Sequence, residues 1–227
     1  MPGKSIADTA VYVSQNYNPH SLTREWGFVL ADIRPAFTFQ NGDLRTARLD
    51  IAKDIQARLP KHVTSLPLHA GIVSTDTIDN DPASLHRQVG SDILCLTLLA
   101  DVPLDRPLHI TQSSLIGHWR WLRQVWAHLS TQKVSEASGL ESPEFQVSPK
   151  NDVIDEIAKG RFNTAIAALR SEFKSLPISQ NASCDLDFRL SFIRNLTLFC
   201  PLIGTELLYR LGNPPYGTNH HAKDSEE

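Results

Sequence analysis

Cysteine is scarce in this sequence, and the spacing of the few cysteines excludes two common roles. Cys95, Cys184 and Cys200 are scattered over 227 residues, too few for a disulfide framework and without the paired spacing of a zinc site. Reduced thiols in the cytoplasm are the simplest interpretation. The first residues lack the apolar core of a signal peptide, and no run reaches the ~20 apolar residues that span a bilayer. We therefore expect a soluble protein with no membrane contact.

A strong excess of charge of either sign is also missing. The 22 Lys and Arg residues oppose 25 Asp and Glu residues, for a formal net charge of -3. This near balance argues against broad electrostatic capture of nucleic acid, although a local basic patch remains open. The composition is ordinary for a globular protein, and the length allows one large domain or two small ones.

Short catalytic signatures are absent as well. The sequence contains no Gly-x-Ser-x-Gly, no Walker loop, no dinucleotide glycine fingerprint and no His-Glu-x-x-His. These absences favour a non-catalytic interaction protein, such as an adaptor, complex subunit or regulator, that binds a protein partner or a second copy of itself. They also lead us to expect no cofactor and no metal. Many enzymes carry no short signature, so catalysis stays open.

The distribution of apolar residues predicts an α+β fold, with a mixed strand and helix N-terminal half and a predominantly α-helical C-terminal half. Residues 1–112 are predicted as the mixed region, 113–130 as a tryptophan-rich helix joining the halves, 131–150 as a linker or exposed loop, 151–212 as a helical region and 213–227 as a disordered tail. The linker is inferred from its few large apolar residues and its serine, glycine and proline content.

Several segments of the N-terminal half are predicted as strands. Alternation and β-branched residues favour strands at 10–14, 70–77 and 108–110. Residues 26–33 and 93–99 are apolar runs that fit a strand or a helix. We favour strands for both, with 37–39 continuing the first and 108–110 pairing with the second. Residues 16–20 are interpreted as a loop.

Capping residues mark the predicted helices. Asp43 precedes an amphipathic helix at 44–59, and Asp81 with Pro82 predicts a helix to about Val89. In the second half, helical periodicity predicts helices at 152–160, 162–173, 186–199 and 202–211. Glycine is predicted to end the first and last of these.

Tryptophan is concentrated in one helix. Three of the four tryptophans lie between residues 119 and 126, and Trp119 and Trp126 share an apolar face that we expect to be buried. Trp121 lies on the flank, while Arg120 and Arg123 face the other way. An exposed Trp121 beside two arginines would suit a protein partner or stacking on a nucleobase. We predict these three as partner-binding residues; the alternative for Trp121 is partial burial.

An acidic cluster offers a second candidate site. Asp76, Asp79, Asp81 and His86 could bind a divalent cation, or act as acid and base in a small-molecule enzyme. Their spacing does not match a calcium-binding EF-hand loop. The alternative is a solvated turn in which Asp81 caps a helix.

A segment of about fifteen residues resembles a helix-turn-helix of the phage-repressor kind. The residues that match the turn and the seat of the second helix are Ser135, Gly139, Leu140 and Phe145. The resemblance implies a DNA-binding regulator with a degenerate motif. The first helix starts one residue too close to the glycine, Pro149 would shorten the recognition helix, and basic residues are lacking there. A flexible loop is the alternative.

Overall fold

The computed structural model describes residues 16–40, 42–76, 79–130, 152–176 and 183–212. Its α-helices are α1 Pro19–Phe28, α2 Leu44–Ala57, α3 Pro82–Val89, α4 Ser91–Leu99, α5 Gln112–Leu129, α6 Asp152–Ala158, α7 Phe162–Ser175, α8 Ser183–Phe199 and α9 Pro201–Arg210. The predicted strand at 10–14, the helix-turn-helix resemblance, the 131–150 linker and the 213–227 tail lie outside the described residues.

Two short strands complete the α+β fold that the sequence predicts. Strand β1, Val73–Thr75, pairs in parallel with strand β2, Leu108–Ile110, with Ser74 opposite His109. Both strands were predicted, but the pairing of β2 with residues 93–99 is wrong. Strands of three residues carry too little pattern to specify their partner. Within the described ranges, no helix is long and apolar enough to cross a membrane.

Residues 93–99 form most of helix α4 and not a strand. All nine residues of α4 are buried, because α2, α3, α5, α7, α8 and α9 pack around it. Continuous burial removes the alternation that would mark one exposed face, which is why periodicity could not separate the two structures. The leucine content of the run favours a helix over a strand.

The strands predicted at 26–33 and 37–39 are also wrong, because both segments are helical. Helix α1 passes into a π-helical turn at Val29–Ile33, and a 3₁₀ turn follows at Pro35–Thr38. Proline has no N–H to leave unpaired, so it fits the first position of the second turn. Residues 16–20 are a loop only in part. The Asn18 side chain accepts from the N–H groups of His20 and Ser21 and starts α1 at Pro19.

The remaining helices follow the predicted caps and stripes. Asp43 accepts from the Thr46 N–H at 2.8 Å, and Asp81 accepts from the Ser84 N–H at 2.9 Å, so each begins its helix as expected. Helices α6 to α9 lie where the sequence predicts them. Gly160 and Gly212, after α6 and α9, have positive φ angles of 72° and 68°, a backbone conformation that favours glycine.

Arg48 is a buried cation that holds the end of α4. Its guanidinium donates to the carbonyl oxygens of Leu98 at 2.7 Å, Arg106 at 2.8 Å and Pro103 at 3.0 Å. The last carbonyls of a helix have no partner within the helix. Arg48 donates to one of them, the Leu98 carbonyl, and also to carbonyls of the loop before β2. Burial lowers the pKa of Arg48 to about 10, which leaves it charged at neutral pH.

Asp92 is a buried carboxyl group that joins α4 to α9. Its two oxygens accept from the backbone N–H groups of Leu202 at 3.2 Å and Ile203 at 2.8 Å, at the start of α9. A carboxylate at this position also interacts favourably with the positive, N-terminal end of the α9 dipole. Burial nevertheless raises its pKa to about 7, with the two N–H groups opposing the shift.

We predict that Asp92 makes folding stability fall as the pH rises. The folded pKa of about 7 lies above the unfolded value of about 3.9, so the folded state holds an extra proton between these values. The free energy of unfolding therefore decreases through this window, by up to about 1.4 kcal/mol per pH unit from this group. Urea unfolding of the wild type and Asp92→Asn, from about pH 5 to about pH 8, measures the difference. Parallel profiles for the two proteins would contradict the prediction.

Candidate nucleic-acid interface

Helix α5 carries the predicted partner-binding residues and begins with a reciprocal cap. The Thr111 hydroxyl accepts from the Ser114 N–H at 3.2 Å, and the Ser114 hydroxyl accepts from the Thr111 N–H at 3.3 Å. From Gln112 to Leu129 the helix contains two arginines, two histidines and no acidic residue. Its surface is therefore locally basic in a chain whose charge is nearly balanced.

The inner face of α5 is buried, as its apolar spacing predicts. The buried residues of this face are Leu115, His118, Leu122, Val125, Trp126 and Leu129. Trp126 is 2% exposed, with the Tyr17 ring 6.3 Å away and the Arg210 guanidinium 4.8 Å from its ring centre. Trp119, predicted for the same buried face, is only partly buried. One edge of α5 therefore exposes an indole.

The three predicted partner-binding residues have different surroundings. Arg120 and Arg123 are exposed, and the Arg123 guanidinium lies 5.0 Å from the ring centre of Trp119. Trp121 is half-buried against α7, with Phe173 edge-on at 6.3 Å and Arg170 over its ring at 5.2 Å. Trp121 thus adopts the partial burial considered as the alternative, and Trp119 is the indole that lies beneath an exposed arginine. A binding role for the three residues stays a prediction.

His118 fixes the position of α5 against α7. Arg170 donates from Nη2 to Nδ1 of His118 at 2.8 Å, so the neutral imidazole accepts at Nδ1 and carries its proton on Nε2. Burial, reinforced by the Arg170 charge, lowers the pKa of His118 to about 4. The histidine is therefore a neutral acceptor that holds the partly buried Arg170 against the Trp121 ring.

An open groove of about 820 Å³ lies beside the N-terminal half of α5. Its walls come from the start of α1, the end of α3, the loop before α3 and the outer edge of α5. Apolar side chains from α3, α4 and α5 form part of the lining, and carboxamides contribute the polar part. The lining residues on α5 are Gln112, Leu115, Ile116 and Trp119. The groove thus joins the exposed indole to polar groups from distant parts of the sequence.

The predicted acidic cluster is divided between two places. The Asp79 side chain accepts from the Asp81 N–H at 2.9 Å, in the turn that precedes α3. Hydrogen bonds from Ser84 and Asp81 lower the pKa of Asp79. His86 lies on α3 with its ring 5.5 Å from that of Phe39, and its pKa is lowered by burial. Of the four residues, only Asp79 lines the groove.

Asp76 belongs to a separate chain of polar contacts across the two strands. Its carboxylate lies 2.8 Å from Nε2 of His109, and Nδ1 of His109 lies 2.9 Å from the Ser74 hydroxyl. The hydroxyl is 3.4 Å from the Leu108 carbonyl, so the imidazole is its nearer acceptor. The carboxylate selects the tautomer with the proton on Nε2, which leaves Nδ1 to accept from serine.

Within the described ranges, no group of three or more His, Cys, Asp or Glu side chains is placed to hold a metal ion. Cys95 and Cys200 are buried free thiols, and burial raises the pKa of each well above its usual value. A raised thiol pKa disfavours the thiolate that nucleophilic and metal-binding roles require. These two cysteines therefore belong to the core.

Comparison with known proteins finds partial similarity to leucine–tRNA ligases. The chain is 28% identical over 102 residues to that of Paramagnetospirillum magneticum, covering 40% of this chain and 12% of that protein. It is 22% identical over 132 residues to that of Rhizorhabdus wittichii and 24% over 143 residues to that of Prochlorococcus marinus, covering 58% of this chain and 16% and 17% of those proteins. The chain thus matches about an eighth to a sixth of the length of these relatives. No protein-family model matches it.

The sequence carries a signal for one residue of these contacts, His109. His109 lies between Leu108 and Ile110, and this alternation places it on the exposed face of a strand. The groove had no such signal, because its walls come from separate segments whose meeting depends on the fold. The assignment of Trp119 to the core relied on spacing alone, which cannot locate the edge of a buried face.

We predict that His118 lowers stability as the solution becomes acidic. Its folded pKa of about 4 lies below the unfolded value of about 6.5, so only the unfolded state takes up a proton between these values. The free energy of unfolding should fall as the pH falls through this window. Urea unfolding of the wild type and His118→Gln at several pH values measures this contribution: the free energy of unfolding of the wild type, minus that of the variant, should fall as the pH falls from about 6.5 to about 4. A difference that stays constant with pH would show that the imidazole is not held neutral.

Proposed function

We propose that the protein is a non-catalytic RNA-binding protein that binds tRNA or a tRNA-like RNA along the exposed face of α5. The observation that carries the proposal is a pair of exposed arginines, Arg120 and Arg123, on a helix without acidic residues and beside a partly exposed tryptophan. Residues three apart on a helix project from the same side, so both guanidinium groups can reach one phosphate backbone.

Similarity to leucine–tRNA ligases supports RNA as the partner, because tRNA is part of the name of those proteins. The matched regions are only 12% to 17% of those proteins. We therefore extend only RNA binding to this chain, and not the ligase reaction. A cytoplasmic adaptor, complex subunit or regulator that recognises RNA would fit both this similarity and the absence of catalytic motifs.

Replacing both arginines should weaken RNA binding in a salt-dependent way. Each arginine that neutralises a phosphate adds about one unit to the slope of log affinity against log salt concentration. In Arg120→Ala/Arg123→Ala we expect about a tenfold loss of affinity at low salt and a slope that is smaller by about two. Fluorescence anisotropy with labelled tRNA, titrated at several salt concentrations, measures both quantities.

A matched control is Arg161→Ala. Arg161 is also exposed, but its guanidinium is held by Glu156 at 2.6 Å, so its charge is neutralised and its loss should leave RNA affinity unchanged. A wild-type protein that binds no tRNA at low salt would overturn the proposal. Preference for duplex DNA over tRNA in competition would instead favour the DNA-binding alternative, whose candidate motif lies outside the described residues.

A second candidate function, hydrolysis of an activated carboxylic ester, is favoured by the contacts among Ser74, His109 and Asp76. A carboxylate that orients an imidazole and an imidazole that accepts a serine proton are parts of a serine hydrolase, here on exposed residues and with the roles of the two imidazole nitrogens exchanged. Ser74 Oγ would attack the acyl carbon while His109 takes the proton and returns it to the leaving alcohol. Water would then cleave the acyl-serine, releasing the acid and restoring Ser74.

This second candidate predicts that Ser74→Ala abolishes most hydrolysis of p-nitrophenyl acetate. Removal of the nucleophile or the base should lower the rate by at least about a hundredfold, and Asp76→Asn should lower it less. Release of p-nitrophenol is followed by absorbance. His69→Gln, which removes another exposed histidine, controls for hydrolysis by any surface imidazole. Equal rates for Ser74→Ala and the wild type would exclude this function.

A further inference from the structure

We infer that the groove beside α5 binds one unpaired ribonucleotide of the RNA, with its base on Trp119 and its ribose hydroxyls on Asp79. This inference rests on the proposed function and names the part of the RNA that the site selects. The groove combines an aromatic wall, carboxamides and a carboxylate, whereas a patch that reads only phosphates needs only cations. Its volume of about 820 Å³ lies within the range of pockets that take small ligands.

Trp119 provides the stacking surface. It lines the groove while remaining partly exposed, and the Arg123 guanidinium lies 5.0 Å from its ring centre. Bases of any identity stack on indole rings, and an arginine next to the ring can neutralise the phosphate attached to the stacked nucleotide. One edge of α5 therefore presents a base-stacking group and a phosphate-binding group together.

Carboxamides supply the polar contacts that a base edge requires. Asn18, Gln88 and Gln112 line the groove, and a carboxamide offers a donor and an acceptor side by side, as base edges do. The Asn18 oxygen already accepts from the N–H groups of His20 and Ser21, so this side chain can offer a base its N–H groups. The Gln88 nitrogen donates to the Ser84 hydroxyl at 3.3 Å, so Gln88 can offer its oxygen.

Asp79 makes the site suited to ribose rather than phosphate. Hydrogen bonds from Ser84 and Asp81 lower its pKa, so the groove contains an ionised carboxylate at neutral pH. A carboxylate repels phosphate but accepts hydrogen bonds from ribose hydroxyls, and the 2′-hydroxyl is the group that distinguishes RNA from DNA. The phosphates then lie outside the groove, on the side of Arg120 and Arg123.

The test compares single-stranded RNA with a fully paired RNA duplex of the same length. In Trp119→Ala we expect about a tenfold loss of affinity for the single strand and no change for the duplex. Trp119→Phe, which keeps an aromatic ring, should recover most of the loss. Phe188→Ala is the control, because Phe188 is an exposed aromatic side chain outside α5 and outside the groove lining. Thermal unfolding of each variant checks that the fold is retained.

Asp79→Asn tests the ribose contact separately. The wild type should prefer single-stranded RNA over DNA of the same sequence, and the variant should lose this preference while still binding both. If the Trp119 and Asp79 variants bind like the wild type while Arg120→Ala/Arg123→Ala is weakened, the groove inference is wrong and the RNA-binding proposal stands.

A titration with free AMP tests whether the groove binds a free nucleotide instead of RNA. AMP is added to the wild type and to Trp119→Phe, and tryptophan fluorescence is the readout. Quenching by AMP in a protein that binds no RNA would overturn the inference in favour of a free nucleotide, and would overturn the RNA-binding proposal with it. Single-stranded RNA that displaces AMP from the wild type would support the inference.

Discussion

Burial of α4 on all sides is the constraint on which the other contacts depend. A helix surrounded by other helices cannot offer its last carbonyl groups to water, so these groups need a polar partner within the protein. Arg48 provides that partner at the C-terminal end, through the Leu98 carbonyl. Near the N-terminal end, the Asp92 side chain accepts from the first N–H groups of α9 and so joins that helix to α4. Two buried ionisable side chains, Arg48 and Asp92, thereby fix α4 relative to its neighbours.

The outer face of α5 is held rigid by this core. Its inner side packs on α4, and Trp126 lies between Tyr17 and Arg210, which belong to opposite ends of the described chain. Arg170 and His118 hold the flank that contains Trp121. Because the inner side is fixed in this way, Arg120, Arg123 and Trp119 project from a rigid support, which limits the entropy lost when a ligand binds them.

Local signals in the sequence predict where helices start better than they predict which elements pack together. Asp43 and Asp81 were identified as caps, yet the same signal at Asn18 and Pro19 was interpreted as a loop. Helix α4 was missed because uniform burial leaves no periodicity to detect. Periodicity also located Arg120 and Arg123 on the surface. It could not show that α7 covers Trp121 or that distant segments form a groove at Trp119, because these depend on packing between elements.

The two buried titrating groups affect stability in opposite directions. Because its pKa is raised, Asp92 keeps a proton in the folded protein at pH values where the unfolded chain has lost it. Because its pKa is lowered, His118 stays neutral in the folded protein at pH values where the unfolded chain is protonated. Over the range from about pH 4 to about pH 6.5 the two effects on stability have opposite signs. On mild acidification the Asp92 contribution to stability rises while the His118 contribution falls, so the core partly compensates for its own buried ionisable groups.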